Sequence, residues 1–262
     1  MNEQAAPPRE LTPAHRDEFA ERGFTVVREV FDTAEVDRMR RAFERLEQTA
    51  RRLGETTMHR GTQFVVERNS RGDLQIKRIV WCGGAEQSLS ALGADRRLVG
   101  MACRLIGCEA VSQLINQAHF KFPGDEVTFE WHQDSKHRRY GTDLWTDVTG
   151  RGSFVETTTA VDPMTDNNGP LQFIPGSNEL GHIPTEPDGS LPDDLFDASE
   201  AVTLTLEPGD VALFGPYTIH GSGPNDSDHP RRLFLNGFAH PDANRRDYPG
   251  CDAGRMLQCP ND

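Results

Sequence analysis

Apolar positions recur with two different periods along this chain, and the change of period divides it. Over the first hundred residues the helical period dominates. Thr12 followed by Pro13 reads as an N-cap with proline in the first turn, and the short helix it opens should stop near Gly23. Residues 24–30 are apolar and β-branched and predict a strand. Asp32 or Thr33 then caps a second helix, in which Val36, Met39, Ala42, Phe43 and Leu46 recur at three- and four-residue steps. Arg38, Arg40, Arg41 and Arg45 fall mostly on its other faces and read as solvated surface. Short strands are expected around 64–66 and 74–79, and helical spacing returns over 88–105.

Beyond residue 110 the pattern turns into short β-like runs, at 111–122, 126–131, 153–161, 170–174, 201–206, 210–214 and 232–239. Turn signals separate them: Pro123-Gly124, Asn167-Asn168-Gly169-Pro170, Pro175-Gly176 and Pro208-Gly209. Many short strands with Gly/Pro turns predict an all-β sandwich or barrel. With helices first and strands later, the expectation is a mainly β protein: one domain over residues 11–262, a jelly-roll core with N-terminal helices packed outside. Residues 1–10 contain Pro7 and Pro8, show no apolar periodicity and read as a disordered lead-in.

Charge narrows the partners. The 262 residues hold 28 Lys and Arg against 41 Asp and Glu, a formal net charge of −13. That argues against nucleic acid, itself a dense polyanion. No apolar run approaches the ~20 residues a membrane span needs, and the polar N-terminus lacks the apolar core of a secretory signal. The five cysteines (Cys82, Cys103, Cys108, Cys251, Cys259) are odd in number and form no CxxC pair. Neither a zinc ribbon nor a disulfide framework is expected, and a reducing cytoplasm fits.

Two of the nine histidines stand out by context. Trp131-His132-Gln133-Asp134 ends a β-like run and places His and Asp two residues apart, on one face of an extended strand. Much later, the run 209–214 leads through a loop to His220. Two His and one carboxylate form the facial triad that leaves three positions open on Fe(II). Arg231 stands eleven residues further on, at the head of Leu233-Phe234-Leu235, where a guanidinium is suited to a carboxylate. Its neighbour Arg232 points to the opposite face and is expected to tolerate substitution. His15, His59, His229 and His240 read as surface residues and His182 as structural.

Several blocks together resemble the phytanoyl-CoA dioxygenase (PhyH-like) family, which includes ectoine hydroxylase and bacterial amino-acid and natural-product hydroxylases. They are Leu11-Thr12 with Gly23-Phe24-Thr25-Val26-Val27, Trp131-His132-Gln133-Asp134, the run 168–177, Pro208-Gly209-Asp210, and the block from His220 to Arg231. The last three are specific in combination. The resemblance implies a double-stranded β-helix using Fe(II), O2 and 2-oxoglutarate. It implies His132, Asp134 and His220 as iron ligands, Arg231 and Ser222 at the distal carboxylate of 2-oxoglutarate, and His119 near the cosubstrate. Some relatives have Ala or Gly in the place of Asp134 and bind chloride. The retained carboxylate implies hydroxylation, or a related desaturation, cyclisation or epoxidation, rather than halogenation.

The expected substrate is a small soluble molecule, carboxylate-bearing or otherwise anionic. Lys136-His137-Arg138-Arg139 follows the metal motif directly in an acidic protein, and a local positive patch draws anions. Arg138 and Arg139 are therefore candidate substrate residues. Residues 140–152 are expected to form a lid or pocket wall, with Trp145 as a stacking surface. An acyl-CoA hydroxylase, a cupin-like metal enzyme that does not use 2-oxoglutarate, and a binding module without catalysis are the alternatives.

Overall fold

Thr12 accepts the His15 amide at 3.3 Å and the His15 ring returns a bond to the Thr12 amide, so a capping box opens α1 (Pro13–Arg22). Gly23 ends it in the left-handed conformation, φ +84°, where a Cβ would also lie 2.5 Å from the Thr218 hydroxyl. The computed structural model describes residues 10–192 and 194–260, so the lead-in expected over 1–10 lies, apart from Glu10, outside the described residues.

Strand β1 (Phe24–Val27) is shorter than the run 24–30. Glu29 turns to φ +52°, and its amide is taken by the Asp210 carboxylate at 2.7 Å instead of a strand neighbour. Asp32 caps α2 (Thr33–Leu53), whose buried face is Val36, Met39, Ala42, Phe43, Leu46 and Ala50. Then come β2 (Thr57–His59), β3 (Thr62–Arg68) and β4 (Leu74–Val80). The single helix expected over 88–105 is two, α3 (Gln87–Gly93) and α4 (Arg96–Ile106). Asp95 accepts the Arg97 amide at 2.9 Å and starts the second afresh.

The remainder is β5 (Ala110–Lys121), β6 (Phe129–His132), α5 (Asp134–His137), β7 (Phe154–Ala160), β8 (Gln172–Phe173), β9 (Val202–Thr203), β10 (Val211–Phe214), β11 (His220–Ser222), β12 (Arg231–Ala239) and β13 (Arg255–Gln258). Every pairing is antiparallel. The larger sheet runs β1-β10-β7-β12-β5-β4-β3-β2, with β13 also paired to β5, and the smaller runs β6-β11-β8-β9. This is the expected mainly β jelly roll with flanking helices.

Alternation along the long strands sorts side chains to two faces. Outward-facing Ala118, Phe120, Phe234 and Phe238 pack in one apolar cluster with α2 and α4. Between the sheets, Phe24, Ala212, Phe214, Leu233 and Leu235 meet Phe173, Met164, Leu204 and Leu206. Phe214, Leu233 and Leu235 of that inner cluster also form part of the wall of a cavity. One cysteine expectation is corrected: Cys103 and Cys259 form a disulfide tying α4 to the chain after β13. The fold brings together two thiols that lie 156 residues apart in sequence. No helix among the described residues is long and apolar enough to cross a membrane.

Candidate active site

His132 is the last residue of β6 and His220 the first of β11, directly opposite in the ladder. Asp134 is not on the same strand face as His132, as the spacing suggested. Gln133 stays extended, at φ −108° and ψ 140°, and Asp134 opens the one-turn helix α5. The Gln133 amide makes that turn rigid. Its nitrogen donates to the Gly181 and Tyr217 carbonyls at 2.9 and 2.6 Å, and its oxygen accepts from the Ser135 hydroxyl and the Ile183 amide. Ser177, from the Pro-Gly-Ser turn, accepts the Ile219 amide at 2.8 Å and so fixes the approach to His220.

One ligand atom from each of His132, Asp134 and His220 lies within 4.8 Å of the others. Nδ1 of His132 faces the Glu130 carbonyl at 2.6 Å, and Nδ1 of His220 faces that of Thr218 at 3.0 Å. A carbonyl only accepts, so each Nδ1 carries the proton and each Nε2 keeps its lone pair for a metal. Burial, together with His132, pushes the His220 pKa down to about 3. Burial alone would raise the Asp134 pKa, but Arg138, His220 and His132 more than offset it and hold the carboxyl below its ordinary range. The Asp134 Oδ2 is buried without a hydrogen-bond partner. A deprotonated N,N,O set with an orphaned oxygen fits a divalent cation.

At the other end of the cavity Arg231 sits opposite Lys121 in the β12–β5 register. Arg231 is fully buried, donates to the Gly169 carbonyl and leaves its Nε without a partner. Burial pushes its pKa down to about 9. A Cβ on Gly169 would lie 2.7 Å from the Gly223 carbonyl, which accounts for the Asn-Gly-Pro turn. Lys121 donates to the Ser222 hydroxyl at 2.7 Å and the Ser222 carbonyl at 3.2 Å. Burial, with Arg231 beside it, pushes the Lys121 pKa down to about 6, so the standing cation here is Arg231, which with the Ser222 hydroxyl that Lys121 holds in place is suited to a carboxylate. His119 stacks on Phe129, centroids 5.2 Å apart. Burial, with Arg78, Arg231 and Lys121 nearby, holds its pKa well below the ordinary value.

The sequence does not single out Lys121. Its signal was the alternation that puts 119 and 121 on one strand face. It also misses Asn225, which ties the loop before Arg231 by donating to the Lys121 and His229 carbonyls at 2.9 and 2.8 Å. Arg232 faces away from the cavity, on the opposite strand face. It makes a buried bidentate pair with Asp162, at 2.7 and 2.9 Å.

The cavity measures about 470 Å3 and is lined from both sheets, with His119, His132, Asp134, His220, Ser222 and Arg231 on its wall. Arg138 and Arg139 also line it. Arg138, however, is buried between Asp134 at 3.6 Å and Glu156 at 3.2 Å, while Arg139 is exposed. Trp145 does not reach the cavity. It is buried with its ring stacked on Tyr140, 4.9 Å between centroids, and edge-on to Phe154, because packing in that cluster removes more apolar surface from water than exposure at a pocket rim would.

Residues 19–233 match the phytanoyl-CoA dioxygenase (PhyH) family. The chain belongs to that family. Among curated relatives it is 36% identical over 94 residues to the dioxygenase lolE1 of Epichloe uncinata, covering 36% of each chain. It is 25% identical over 236 residues to a probable alpha-ketoglutarate-dependent hypophosphite dioxygenase of Stutzerimonas stutzeri, 86% of this chain and 78% of that one. It is 31% identical over 138 residues to the 2-aminoethylphosphonate dioxygenase of an uncultured bacterium, 53% and 49%. The matched segment thus spans about a third of the first relative and half of the third. The fold matches EvdO2 of Micromonospora carbonacea var. aurantiaca complexed with 2-oxoglutarate, at TM-score 0.65 and 24% identity over 91% of this chain and 95% of that one. It also matches EctD of S. alaskensis with bound Fe, at 0.72 and 22% over 93% and 82%.

Proposed function

We propose that the protein is an Fe(II)- and 2-oxoglutarate-dependent dioxygenase that hydroxylates an unactivated C–H bond of a small, anionic metabolite. The observation that carries this is one cavity with the His132–Asp134–His220 cluster at one end and at the other the buried Arg231, which makes no ion pair among the described residues. When bound, iron supplies the redox chemistry, in which O2 and 2-oxoglutarate are consumed, succinate and CO2 released, and one oxygen atom placed on the substrate. The chain's own part is positional. His132, Asp134 and His220 hold the ion. Arg231 and Ser222 take the distal carboxylate, Lys121 holds Ser222 in place, and His119, uncharged, lies along the cosubstrate. The apolar inner wall keeps water from the reacting carbon.

Two relatives are named for hypophosphite and for 2-aminoethylphosphonate, both small phosphorus oxyanions. The cationic lining of this cavity supports the same class. A volume of about 470 Å3 shared with 2-oxoglutarate favours a small metabolite over an acyl-CoA.

Succinate release with Fe(II) and 2-oxoglutarate tests the reading. It is expected from the wild type, at a rate that rises with a coupled substrate, and is expected to vanish in His220→Ala. Metal-dependent turnover that ignores 2-oxoglutarate would favour the cupin-like alternative instead.

A further inference from the structure

Three residues of the cavity wall, Arg246, Tyr248 and Pro249, come from the segment after β12, beyond the residues 19–233 that match the family. That segment is fastened to residues 137–146, which follow the metal motif. The Thr146 amide donates to the Ala243 carbonyl at 2.8 Å and the Arg245 amide to that of Leu144 at 3.0 Å. Arg246 donates to the His137 carbonyl at 2.8 Å. The Tyr248 ring packs against the apolar cluster that holds Tyr140, Trp145 and Phe154. The fold therefore sets where Tyr248 stands on the wall.

Its hydroxyl is buried and has no hydrogen-bond partner among the described residues. Burial pushes its pKa up, so the phenol keeps its proton and lacks an acceptor for it. The cations beside the ring cannot be that acceptor. Arg138 lies 5.8 Å and Arg246 5.1 Å from the ring centre, and a guanidinium only donates. The two carboxylates on the wall among the described residues are committed elsewhere, Asp134 to the metal and Glu156 to Arg138 at 3.2 Å. Arg246 makes no ion pair among the described residues. In the oxygenase reading 2-oxoglutarate is held at its two ends by the metal and Arg231, which leaves the primary substrate to answer the phenol.

We propose that Tyr248 is a specificity-determining residue that donates a hydrogen bond to an anionic oxygen of the primary substrate, with Arg246 supplying the opposite charge beside it. This rests on the oxygenase reading above. A phenol O–H next to a guanidinium offers donors without a carboxylate, so the pair selects an oxyanion over an amine or a hydrocarbon. An analogue that lacks the oxygen leaves the buried hydroxyl unanswered, and that cost is what discriminates. Carboxylates and phosphorus oxyanions share this chemistry, and the probes below separate them.

The test is calorimetric titration of protein loaded with Mn(II) and 2-oxoglutarate under nitrogen, with propionate, methylphosphonate and the uncharged propionamide as probes. Wild type is expected to bind at least one of the two anions at least tenfold more tightly than propionamide, and the preferred anion tells a planar from a tetrahedral group. Tyr248→Phe keeps the ring and its packing. It is expected to weaken the preferred anion by about tenfold or more, the loss of one hydrogen bond to a charged acceptor, and to leave 2-oxoglutarate affinity unchanged. Arg246→Gln is expected to narrow the preference for the anion over propionamide. Circular dichroism and the unfolding temperature check that both variants fold. The proposal is overturned if neither anion binds, if propionamide binds within tenfold of the better anion, or if Tyr248→Phe costs less than tenfold. It is equally overturned if Tyr248→Phe weakens 2-oxoglutarate. An unchanged preference in Arg246→Gln removes Arg246 from it. Wild type that fails to bind 2-oxoglutarate overturns both this proposal and the oxygenase reading; loss of this proposal alone leaves 2-oxoglutarate binding intact.

Discussion

Adjacent arginines with opposite duties show how far strand alternation decides a residue's role. Arg231 faces the cavity and Arg232 the outer layer. Arg231→Ala is expected to raise the Kd for 2-oxoglutarate by about 30-fold to several-thousand-fold, since a buried charge-assisted pair is worth ~2–5 kcal/mol. The unfolding free energy should change little by comparison. Arg232→Ala is expected to do the reverse. It leaves the Asp162 carboxylate, 6% exposed, to Arg40 at 3.6 Å, at a cost of about 3 kcal/mol, with 2-oxoglutarate affinity near wild type. Titration calorimetry and urea unfolding of the two variants check both halves, and exchanged phenotypes would mean the register is off by one. At this scale His132, Asp134, His220 and Arg231 were legible because their chemistry needs rare residue types in fixed order. Lys121, Arg78 and Glu156 were not, because each sits in an ordinary strand and gains meaning from what lies across the sheet.

Elements were legible in proportion to their length. The 21-residue α2 starts where expected and buries the expected face, and the nine-residue β12 emerges close to its expected bounds, because many positions repeat the period. The strands β2, β11 and β13 have three, three and four residues and carry too few alternations to register. The break between α3 and α4 depends on contacts made at a distance. Arg97 ties the start of α4 to the start of α2, donating to Asp95 at 2.8 Å and to Glu35 at 2.6 Å, with its guanidinium 4.4 Å from the Phe31 ring centre. The hydrogen bond from Arg97 holds the Glu35 carboxyl below its ordinary range. At Asp95 burial pushes the pKa up, and hydrogen bonds from Arg97 more than offset it. Folded-state pKa values below the unfolded ones mean stability that is present above about pH 4 and lost as pH falls. Arg97→Met is therefore expected to cost about 2 kcal/mol at pH 7 and less than half of that at pH 3. Urea unfolding at the two pH values measures it, and an equal cost at both would remove the ion cluster from the explanation.

For the whole molecule, the Cys103–Cys259 bond closes a loop across most of the chain. Reduction is expected to cost about 2–5 kcal/mol and to lower the unfolding temperature by roughly 5–15 °C. Cys259→Ser should unfold at one temperature with or without reductant. If the wild type does the same, the bond does not form in solution. Succinate release should survive reduction, because β13 lies beside β5 residues 110–113, away from the cavity residues 115–119 of that strand.

The sequence alone determined the class of protein, because a change of hydrophobic period and a set of spaced, chemically demanding residues are local signals that need no tertiary contact to read. It carried the jelly roll, the His132–Asp134–His220 cluster and the buried Arg231. Only the tertiary structure decided which charges are answered. Arg138 spends its charge on Asp134 and Glu156, Arg232 on Asp162, and Trp145 gives its ring to Tyr140 and Phe154, whereas the Nε of Arg78 has no hydrogen-bond partner among the described residues. Two of these pairings join residues well separated in the chain. Arg138 and Glu156 lie 18 residues apart and Arg232 and Asp162 lie 70, so no window on the sequence holds both members before the sheets face each other.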